Sequence, residues 1–439
     1  MTKARFALAG ALLALAVPLA AQDTTAQGVH ITLQYNVGTR PGVVVLPVAG
    51  AGGDSIQTIL QRDLDYGDRV NVIAIPDSMA AAVRGGLDST GKVRTMGYAV
   101  FKTLGAAAVI QATNTSRGLH VALHDVARGQ VIDVNEFPLP PDSLSRGWRM
   151  AVHRVSDEVE RWVTGVRGIA ATRIAYVRNH AVRIVDSDGA DDLTIPMAGA
   201  GMSPAWSPDA RMIAYSTFGE GSRIVVYTLA TGQSRSFGER RNTNVSTPVF
   251  SPDGSAIVYT LAGENGSDLF SAPVGGGPAA RLTAGGGTDN STPAFSPDGR
   301  RIAFTSGRAG PPEIYIMDAD GTNVSMFTDY AFSTRNYRSN PDWSPDGLSL
   351  AYQAYQPDSS GVFQIFTMSL RDRTPHPLTR DGENEEPSWA PDARHLVFTS
   401  TRSGTKQLWV IDSQSGRLRQ LTHGAAMSRL GAWSPRLAP

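Results

Sequence analysis

Residues 293–306 have the sequence PAFSPDGRRIAFTS, and close copies occur at 248–260 (PVFSPDGSAIVYT) and 341–353 (PDWSPDGLSLAYQ). A repeat with a fixed period of this size is typical of propeller blades or of a solenoid. The aromatic residue of the repeat recurs every 44 to 48 residues, at Trp206, Phe250, Phe295, Trp343, Trp389 and Trp433.

The Ser-Pro-Asp-Gly step in these copies predicts a tight turn between two strands. Proline presets φ for a type I turn, serine and aspartate oxygens accept backbone N–H bonds, and glycine suits the last position. After the turn, Ile302 and Phe304 alternate with Ala303 and Thr305, which is a strand pattern. With a third strand such as 313–317 and a fourth ending in Leu-Thr or Phe-Thr, each unit is one four-stranded propeller blade.

The number of strands predicts how the ring closes. Five complete units are followed by a single strand around Trp433, and three strands without partners precede the first unit, at 173–177, 182–186 and 193–196. We therefore predict a small α/β domain followed by an all-β six-bladed propeller, closed by pairing of N- and C-terminal strands. Deleting the last ten residues should then unfold the ring, whereas an open stack of sheets is the alternative.

The residues before the propeller show no repeat and alternate between strand and helix patterns. Strands are expected at 42–47, 70–75, 106–111, 119–126 and 131–137, and helices at 55–64, 98–104 and 143–163. The last helix should turn Trp148, Val152, Val155, Val159 and Trp162 inward. The predicted segments are a signal peptide (1–21), a mobile segment (22–34), the α/β domain (35–168) and the propeller (169–439).

The first residues predict export from the cytoplasm. Lys3 and Arg5 precede an apolar run and small residues ending at Ala21, which is the pattern of a cleaved signal peptide, and the run is too short to span a membrane. The chain contains no cysteine, and its 40 basic and 40 acidic residues balance. We therefore expect no disulfide, no nucleic-acid partner and no membrane insertion.

Catalytic and metal-binding motifs are absent from the sequence. It lacks the G-x-S-x-G, H-E-x-x-H and G-x-x-x-x-G-K-[ST] patterns, so we predict no catalytic residue, no metal and no cofactor. Asp186-x-Asp188-Gly189 resembles the start of a calcium loop, but a strand-to-strand turn is the preferred interpretation. His153 and Asp157 are four residues apart on a helix, which predicts a helix-surface pair rather than a catalytic dyad.

Polar loops precede the innermost strand of several blades. They include 242–246, 288–291, 335–340 and 383–386, and the longest, 328–340, also carries Tyr330, Phe332 and Tyr337. Loops on a rigid scaffold are common recognition sites, and aromatic and arginine residues are enriched in binding hot spots. These loops are expected to form a binding mouth around a central channel, although they could simply cap the channel.

The combined features resemble the TolB family, the periplasmic members of the Tol–Pal system. The resemblance rests on VALHDVARGQVI (121–132), AVHRVSD (151–157) and TGVRG (164–168) leading into TRIAYV (172–177), together with the blades. One departure is visible, because the family usually continues the junction as G-x-F-x-T-R whereas Ile169 occupies the apolar position here.

The resemblance implies a periplasmic, non-enzymatic monomer that binds the lipoprotein Pal at the propeller mouth and also contacts TolA. In the family, polar residues before Pro-x-aromatic in the second and third blades meet Pal. We extend the corresponding positions to three further mouth residues on geometry. The predicted contact residues are Asn244, Ser246, Asn290, Thr292, Tyr337, Arg338 and Glu385.

In the family the mature amino-terminal segment communicates with the Pal site and is engaged by TolA. Here it would be residues 22–33, with Gln22, Val29, Ile31 and Leu33 as residues of an order–disorder switch. Two alternatives stay open: a periplasmic propeller scaffold with another partner, and a hydrolase or sugar dehydrogenase that uses the channel.

Overall fold

The computed structural model describes Leu33 and residues 39–87, 93–143, 145–218, 221–238, 243–284, 288–328, 337–356 and 361–438. All of these residues fall within one compact unit. The predicted signal peptide and all of the predicted mobile segment except Leu33 lie outside them.

An α/β domain comes first. Its elements are β1 (Gly42–Val45), α1 (Gly53–Tyr66), β2 (Asn71–Val72), α2 (Asp77–Val83), β3 (Gly86–Leu87), β4 (Val93–Arg94), α3 (Tyr98–Thr103), β5 (Ala106–Thr115), β6 (Gly118–Asp125), β7 (Gln130–Phe137) and α4 (Arg146–Thr164). The main sheet has the order β2-β1-β5-β6-β7, in which β1 is parallel to both neighbours and the other pairs are antiparallel. A separate ribbon pairs β3 with β4.

This sheet is covered by helices on both faces because successive strand residues point in opposite directions. Val43 and Val45 pack in a core with α1 and α4, whereas Val44 packs with α2 and α3. The inward prediction for α4 is confirmed, because all five side chains are buried, namely Trp148, Val152, Val155, Val159 and Trp162. The sequence did not predict α2, which is only seven residues long.

Six four-stranded antiparallel sheets follow within the described ranges. Blade 1 contains β11 (Ala200–Trp206), β12 (Met212–Phe218), β13 (Arg223–Thr228) and β14 (Ser234–Phe237). Blade 2 contains β15 (Asn244–Phe250), β16 (Ala256–Gly263), β17 (Gly266–Pro273) and β18 (Ala280–Arg281). Blade 3 contains β19 (Asn290–Phe295), β20 (Arg301–Ser306), β21 (Glu313–Asp318) and β22 (Ser325–Met326).

The remaining blades repeat this arrangement with one exception. Blade 4 contains β23 (Arg338–Trp343), β24 (Ser349–Gln356), β25 (Val362–Ser369) and β26 (Pro375–Pro377). Blade 5 contains β27 (Asn384–Trp389), β28 (His395–Ser400), β29 (Gln407–Asp412) and β30 (Leu418–Gln420). The closing blade combines β8 (Arg173–Arg178), β9 (Ala181–Asp186) and β10 (Leu193–Thr194) with β31 (Ser428–Trp433).

Ring closure occurs where the two ends of the propeller meet. Strand β31 pairs antiparallel with β8, and Trp433 lies opposite Ile174 while Ala432 lies opposite Ala175. The sheet order β10-β9-β8-β31 places β31 innermost, in the position that the first strand occupies in each of the other five blades. The predicted six-bladed ring with its strand closure is confirmed.

The Ser-Pro-Asp-Gly turns have the predicted hairpin role. In blade 2, Asp253 Oδ1 accepts hydrogen bonds from Ser251 Oγ at 2.5 Å and from the backbone N–H of Ser255 at 3.0 Å. Ser251 Oγ in turn accepts the N–H of Ala256 at 2.9 Å, and Gly254 supplies a φ of 72°. Local bonds within five residues therefore fix the turn.

Blades pack face to face, so their middle strands are buried on both sides. All six residues of β28 are buried. Between blades 3 and 4, for example, Ala303 and Ile314 share a core with Leu350 and Tyr352. The turns and the connections into the innermost strands lie at opposite ends of the blades. We call the end with the connections the mouth.

Candidate functional site

The six innermost strands surround a central channel with a volume of about 460 Å³. Each contains a bulge, as in β15, where Ser246 pairs with Thr260 but Val249 pairs with Val258, leaving one extra residue. At each bulge a non-glycine residue has a left-handed backbone. These residues are Ser203 (φ 50°), Thr247 (47°), Thr292 (48°), Asn340 (53°), Glu386 (59°) and Leu430 (57°).

Polar side chains in the channel connect neighbouring blades. Asp342 of blade 4 accepts the backbone N–H of Trp389 in blade 5 through Oδ2 at 2.7 Å. Ser388 Oγ similarly accepts the N–H of Trp433 in the closing blade at 3.2 Å. Burial raises the pKa of Asp342 to about 6 even though the N–H donors favour the charged form. The carboxyl group of Asp342 therefore acts as a structural acceptor between blades.

A second acid in the channel has the same role. Glu386 Oε2 accepts Thr399 Oγ1 at 2.8 Å within its own blade and the N–H of Leu430 in the closing blade at 2.7 Å. Burial raises the pKa of Glu386, against the effect of these two donors. Both channel acids are thus held by donors from adjacent strands.

An aromatic group lies at the mouth of blade 4. Tyr337 is 42% exposed, and its ring centroid is 5.3 Å from that of Phe363 in an edge-to-face arrangement. Phe363 also lies 5.7 Å from the ring of Tyr355. An exposed tyrosine supported by two packed rings offers a large contact area with little loss of side-chain entropy on binding.

The two charged residues predicted at the mouth are engaged in ion pairs. Arg338 Nη1 lies 2.9 Å from Oε2 of the fully buried Glu313 in blade 3. Lys406 contacts Glu385 directly and also lies 3.4 Å from Glu383. These pairs neutralise Arg338 and Glu385 within the protein, so each would meet a partner as a member of an ion pair.

The four polar residues predicted in blades 2 and 3 differ in accessibility. Asn244 is exposed, Ser246 is half-buried, and Thr292 lines the channel with Oγ1 2.6 Å from Thr305 Oγ1. Asn290 is fully buried, and its Oδ1 accepts bonds from Ser306 Oγ and Arg308 Nη2. The Asn290 side chain is therefore enclosed within its own blade in this structure, and its contact with a partner stays a prediction.

The predicted contact residues spread over blades 2 to 5, and only Thr292 among them also lines the channel cavity. Tyr330 and Phe332 of the long loop lie outside the described residues, as do Gln22, Val29 and Ile31 of the predicted switch. Leu33 is 4% exposed and belongs to the core formed by α1, α4 and the main sheet.

A repeated arginine arrangement near the mouth was not predicted from the sequence. Arg308 lies over the ring of Tyr315 at 4.8 Å, and Arg402 lies over the ring of Trp409 at 5.0 Å. Each guanidinium also donates to a buried asparagine, Asn290 or Asn384. The signal was present as Phe-Thr-Ser-x-Arg at 304–308 and again at 398–402.

The predicted helix-surface pair of His153 and Asp157 is wrong. His153 is 0% exposed and Asp157 is 2% exposed. His153 Nδ1 lies 2.7 Å from Asp63 Oδ2 on α1, whereas Asp157 accepts the backbone N–H groups of Ala170 and Ala171 in the connector after α4. The helix packs both residues inward because partners from distant parts of the chain satisfy them.

The segment Asp186-x-Asp188-Gly189, for which a strand-to-strand turn was preferred over a calcium loop, forms a turn. The N–H of Gly189 donates to Asp186 O at 2.8 Å, and Asp188 Oδ1 accepts the N–H of Ala190. Asp188 also pairs with Arg149 at 2.8 Å and contacts Arg62. Its carboxylate thus binds arginines of the α/β domain.

In the described part of the chain, no helix has the length and apolar character needed to cross a membrane.

The fold defines the class of this molecule as a closed six-bladed β-propeller joined to a small α/β domain. A family model described as the TolB beta propeller domain matches residues 160–356 and 328–438. The chain therefore belongs to the TolB β-propeller family.

Similar proteins support the same placement. The Tol-Pal system protein TolB of Histophilus somni strain 2336 is 29% identical over 232 residues, which cover 47% of this chain and 50% of the relative. The chain thus matches about half the length of this curated relative. The crystal structure of TolB from Acinetobacter baumannii covers 90% of this chain and 97% of its own, with 23% identity and a TM-score of 0.76, which shows the fold.

Proposed function

We propose that the protein is a periplasmic, non-enzymatic binding component of the Tol–Pal system that docks a Pal-like lipoprotein at the propeller mouth. Membership of the TolB β-propeller family is the observation that carries this proposal. The relatives named as Tol-Pal system protein TolB support it. In this role the protein would help to maintain outer-membrane integrity and to support cell division.

The mouth geometry supports recognition of a protein surface. Tyr337 presents an exposed ring on a packed aromatic support, and the Glu385–Lys406 pair lies in the next blade. Hot spots of protein interfaces are enriched in such supported aromatic residues. The proposed contact set is Asn244, Ser246, Thr292, Tyr337, Arg338 and Glu385, with Asn290 placed behind it as a supporting residue.

The channel chemistry favours binding over catalysis. Asp342 and Glu386 both accept backbone N–H groups of an adjacent blade, so each carboxylate has a structural role in joining neighbouring blades. An active-site acid pair would instead need to reach a bound substrate. A propeller scaffold with a different protein partner remains the competing function, and direct binding distinguishes it.

Binding to the soluble domain of a Pal-like lipoprotein tests the proposal by calorimetry. We expect Tyr337→Ala to weaken binding about tenfold or more, which is typical of loss of an aromatic hot spot. The control is Leu348→Ala, because Leu348 is 66% exposed at a turn on the opposite end of blade 4. No binding by the wild type, or equal losses in both variants, would contradict the assignment of the mouth.

The same preparation tests a second partner. We propose that residues 22–33 engage a TolA-like protein and that their release or docking alters the mouth. Deleting 22–32 retains Leu33, which packs in the α/β core. The deletion should abolish binding to the TolA-like protein, and an unchanged affinity would exclude this role for the segment.

A further inference from the structure

Charged side chains join the α/β domain to the propeller at the end of the blades opposite the mouth. The carboxyl-terminal end of α1 meets the turns of blade 5, where Arg417 Nη2 lies 2.6 Å from Asp65 Oδ2 and Arg417 Nη1 lies 3.0 Å from Asp68 Oδ1. Arg394 Nη2 donates to the backbone oxygen of Asp68 at 3.0 Å. Ion pairs and hydrogen bonds of charged side chains therefore connect the two domains at this end of the blades.

One buried histidine reaches from the α/β domain towards the propeller. His153 on α4 bonds through Nδ1 to Asp63 of its own domain at 2.7 Å. Its Nε2 lies 3.6 Å from Oδ2 of Asp188, which belongs to the propeller turn between β9 and β10. The His153 side chain is 0% exposed, and its Nε2 has no hydrogen-bond partner among the described residues.

A second buried histidine reaches in the opposite direction. His395 at the start of β28 bonds through Nδ1 to Asp392 of the propeller at 2.8 Å. Its Nε2 lies 3.3 Å from Oδ2 of Asp68 in the α/β domain. The His395 side chain is 1% exposed, so water is largely excluded from this contact.

Aspartates are placed in the same way around the two ring nitrogens of both histidines. In each, an aspartate of the histidine's own domain faces Nδ1 and therefore selects a proton there, while Nε2 faces an aspartate of the other domain. Only an imidazole that carries both protons is positively charged and attracts the facing carboxylate. At 3.3 Å the Nε2 of His395 can also donate a hydrogen bond to Asp68, whereas the 3.6 Å contact of His153 with Asp188 is an ion pair only. A neutral ring instead places a nitrogen lone pair against a carboxylate.

We propose that His153 and His395 form a pair of reciprocal latches that hold the α/β domain on the propeller when protonated and loosen it when they lose the Nε2 proton. Loss of both protons removes two charge-assisted contacts across one boundary. The expected result is a change in the relative position of the two domains while each stays folded.

Other charged groups surround both latches and set their proton affinity. Near His153, Asp63 comes from α1 and Asp186 and Asp188 come from β9 and its turn. The cations of this region are Arg62, Arg149 and Arg173, each within 3.0 Å of Asp186 or Asp188, and Arg419 of β30, whose charge interacts with Asp63, Asp68 and Asp188. Near His395 the surrounding charges are Asp68, Asp392, Asp412, Glu160, Arg40, Arg69, Arg394 and Arg417.

The acids outweigh burial at both histidines. Burial alone would lower the pKa of His153, but Asp63, Asp188 and Asp186 raise it above its usual value. Burial likewise opposes protonation of His395, while Asp392 and Asp68 raise its pKa. A raised histidine pKa stabilises the closed arrangement below the unfolded value of 6.5, and this stabilisation is lost as pH rises through the folded value.

Two acidic residues on α4 also weaken the join between the domains as pH rises. Burial raises the pKa of Glu160 to about 8 and that of Asp157 to about 6, so rising pH creates buried negative charge at the join. By contrast, Asp68 and Asp188 keep lowered pKa values, because their histidine and arginine partners outweigh burial. Those aspartates would weaken the join only in strong acid, so closure is favoured in mildly acidic solution.

Distance measurements between the two domains test the latches directly. The chain has no cysteine, so exposed Thr58 of α1 and Arg235 of β14 can be replaced by Cys and spin-labelled. Double electron–electron resonance should give one narrow distance distribution at about pH 6 and a shifted or broader one at about pH 9. Identical distributions at the two pH values in the full-length protein would overturn the proposal.

Histidine variants connect any pH response to these two side chains. In the labelled protein, His153→Gln with His395→Gln should give the high-pH distribution at both pH values. The control His376→Gln changes an exposed histidine and should keep the wild-type response. Asp188→Asn with Asp68→Asn, which alters the acceptors instead, should also flatten the response. A full pH response in the double histidine variant would overturn the assignment.

Discussion

Two asparagines that each open an innermost strand show how the same residue type takes different roles. Asn384 opens β27, is fully buried, and donates through Nδ2 to Gln364 Oε1 at 2.8 Å and to Gly382 O at 3.1 Å. Its Oδ1 accepts from Arg402 Nη2 at 2.9 Å. Asn244 opens β15 and is exposed. The side chain of Asn384 is enclosed by partners up to 20 residues away, whereas that of Asn244 is exposed.

We predict that Asn384→Ala lowers the free energy of unfolding by about 2–3 kcal/mol, because several buried polar groups lose their partner. Asn244→Ala, the matched change at an exposed position, should cost less than about 0.5 kcal/mol. Urea denaturation followed by tryptophan fluorescence measures both. Equal effects would mean that the buried bonds of Asn384 contribute no net stability.

Site residues were harder to predict than strands for a physical reason. Asn290 looked like a contact residue because polar residues precede Pro-x-aromatic, yet Ser306 and Arg308, 16 and 18 residues later, enclose it. The burial of a polar residue depends on such distant donors and acceptors. Tyr337, in contrast, has the predicted mouth position and is exposed.

At the scale of elements, the strands of the blades could be predicted because turn chemistry and alternation repeat six times. Each helix of the α/β domain occurs only once, so no repeated pattern supports its prediction. The seven-residue α2 is also too short to show a helical period. The long helix was predicted from residue 143, but α4 begins at Arg146, after Ser145. Its start is set by a capping bond rather than by the apolar stripe.

That cap provides a test of the element boundary. Ser145 Oγ accepts the backbone N–H of Trp148 at 3.2 Å, so Ser145→Ala should lower stability by about 1 kcal/mol. The exposed Ser143 lies outside the helix, and Ser143→Ala should have a much smaller effect. Thermal unfolding monitored by circular dichroism separates the two. A larger loss in the Ser143 variant would place the helix start at residue 143.

For the whole molecule, the number of strands predicted the closed ring, but the join between the domains could not be predicted. His153 meets Asp63, 90 residues earlier, and Asp188 in the propeller. No local pattern indicates such contacts, because they follow from the packing of two folded units. The sequence therefore placed His153 and Asp157 one helical turn apart as a pair. In the fold, His153 bonds to Asp63 on α1, whereas Asp157 accepts N–H groups of the connector after α4.

Pairing of β31 with β8 is the contact on which the ring and its binding mouth depend. Ala432 lies directly opposite Ala175, so cysteines at these two positions should be close enough to join. Arg429 pairs with Val177 instead, which makes Ala175→Cys with Arg429→Cys the register control.

Non-reducing mass spectrometry of the oxidised Ala175→Cys, Ala432→Cys protein is the most direct measurement of this closure. We predict an intramolecular disulfide in nearly all molecules, together with a higher melting temperature than in the reduced form. The register control should form far less. Absence of the disulfide in the Ala432 variant, or bonds only between molecules, would show that the first and last strands of the propeller do not close the ring.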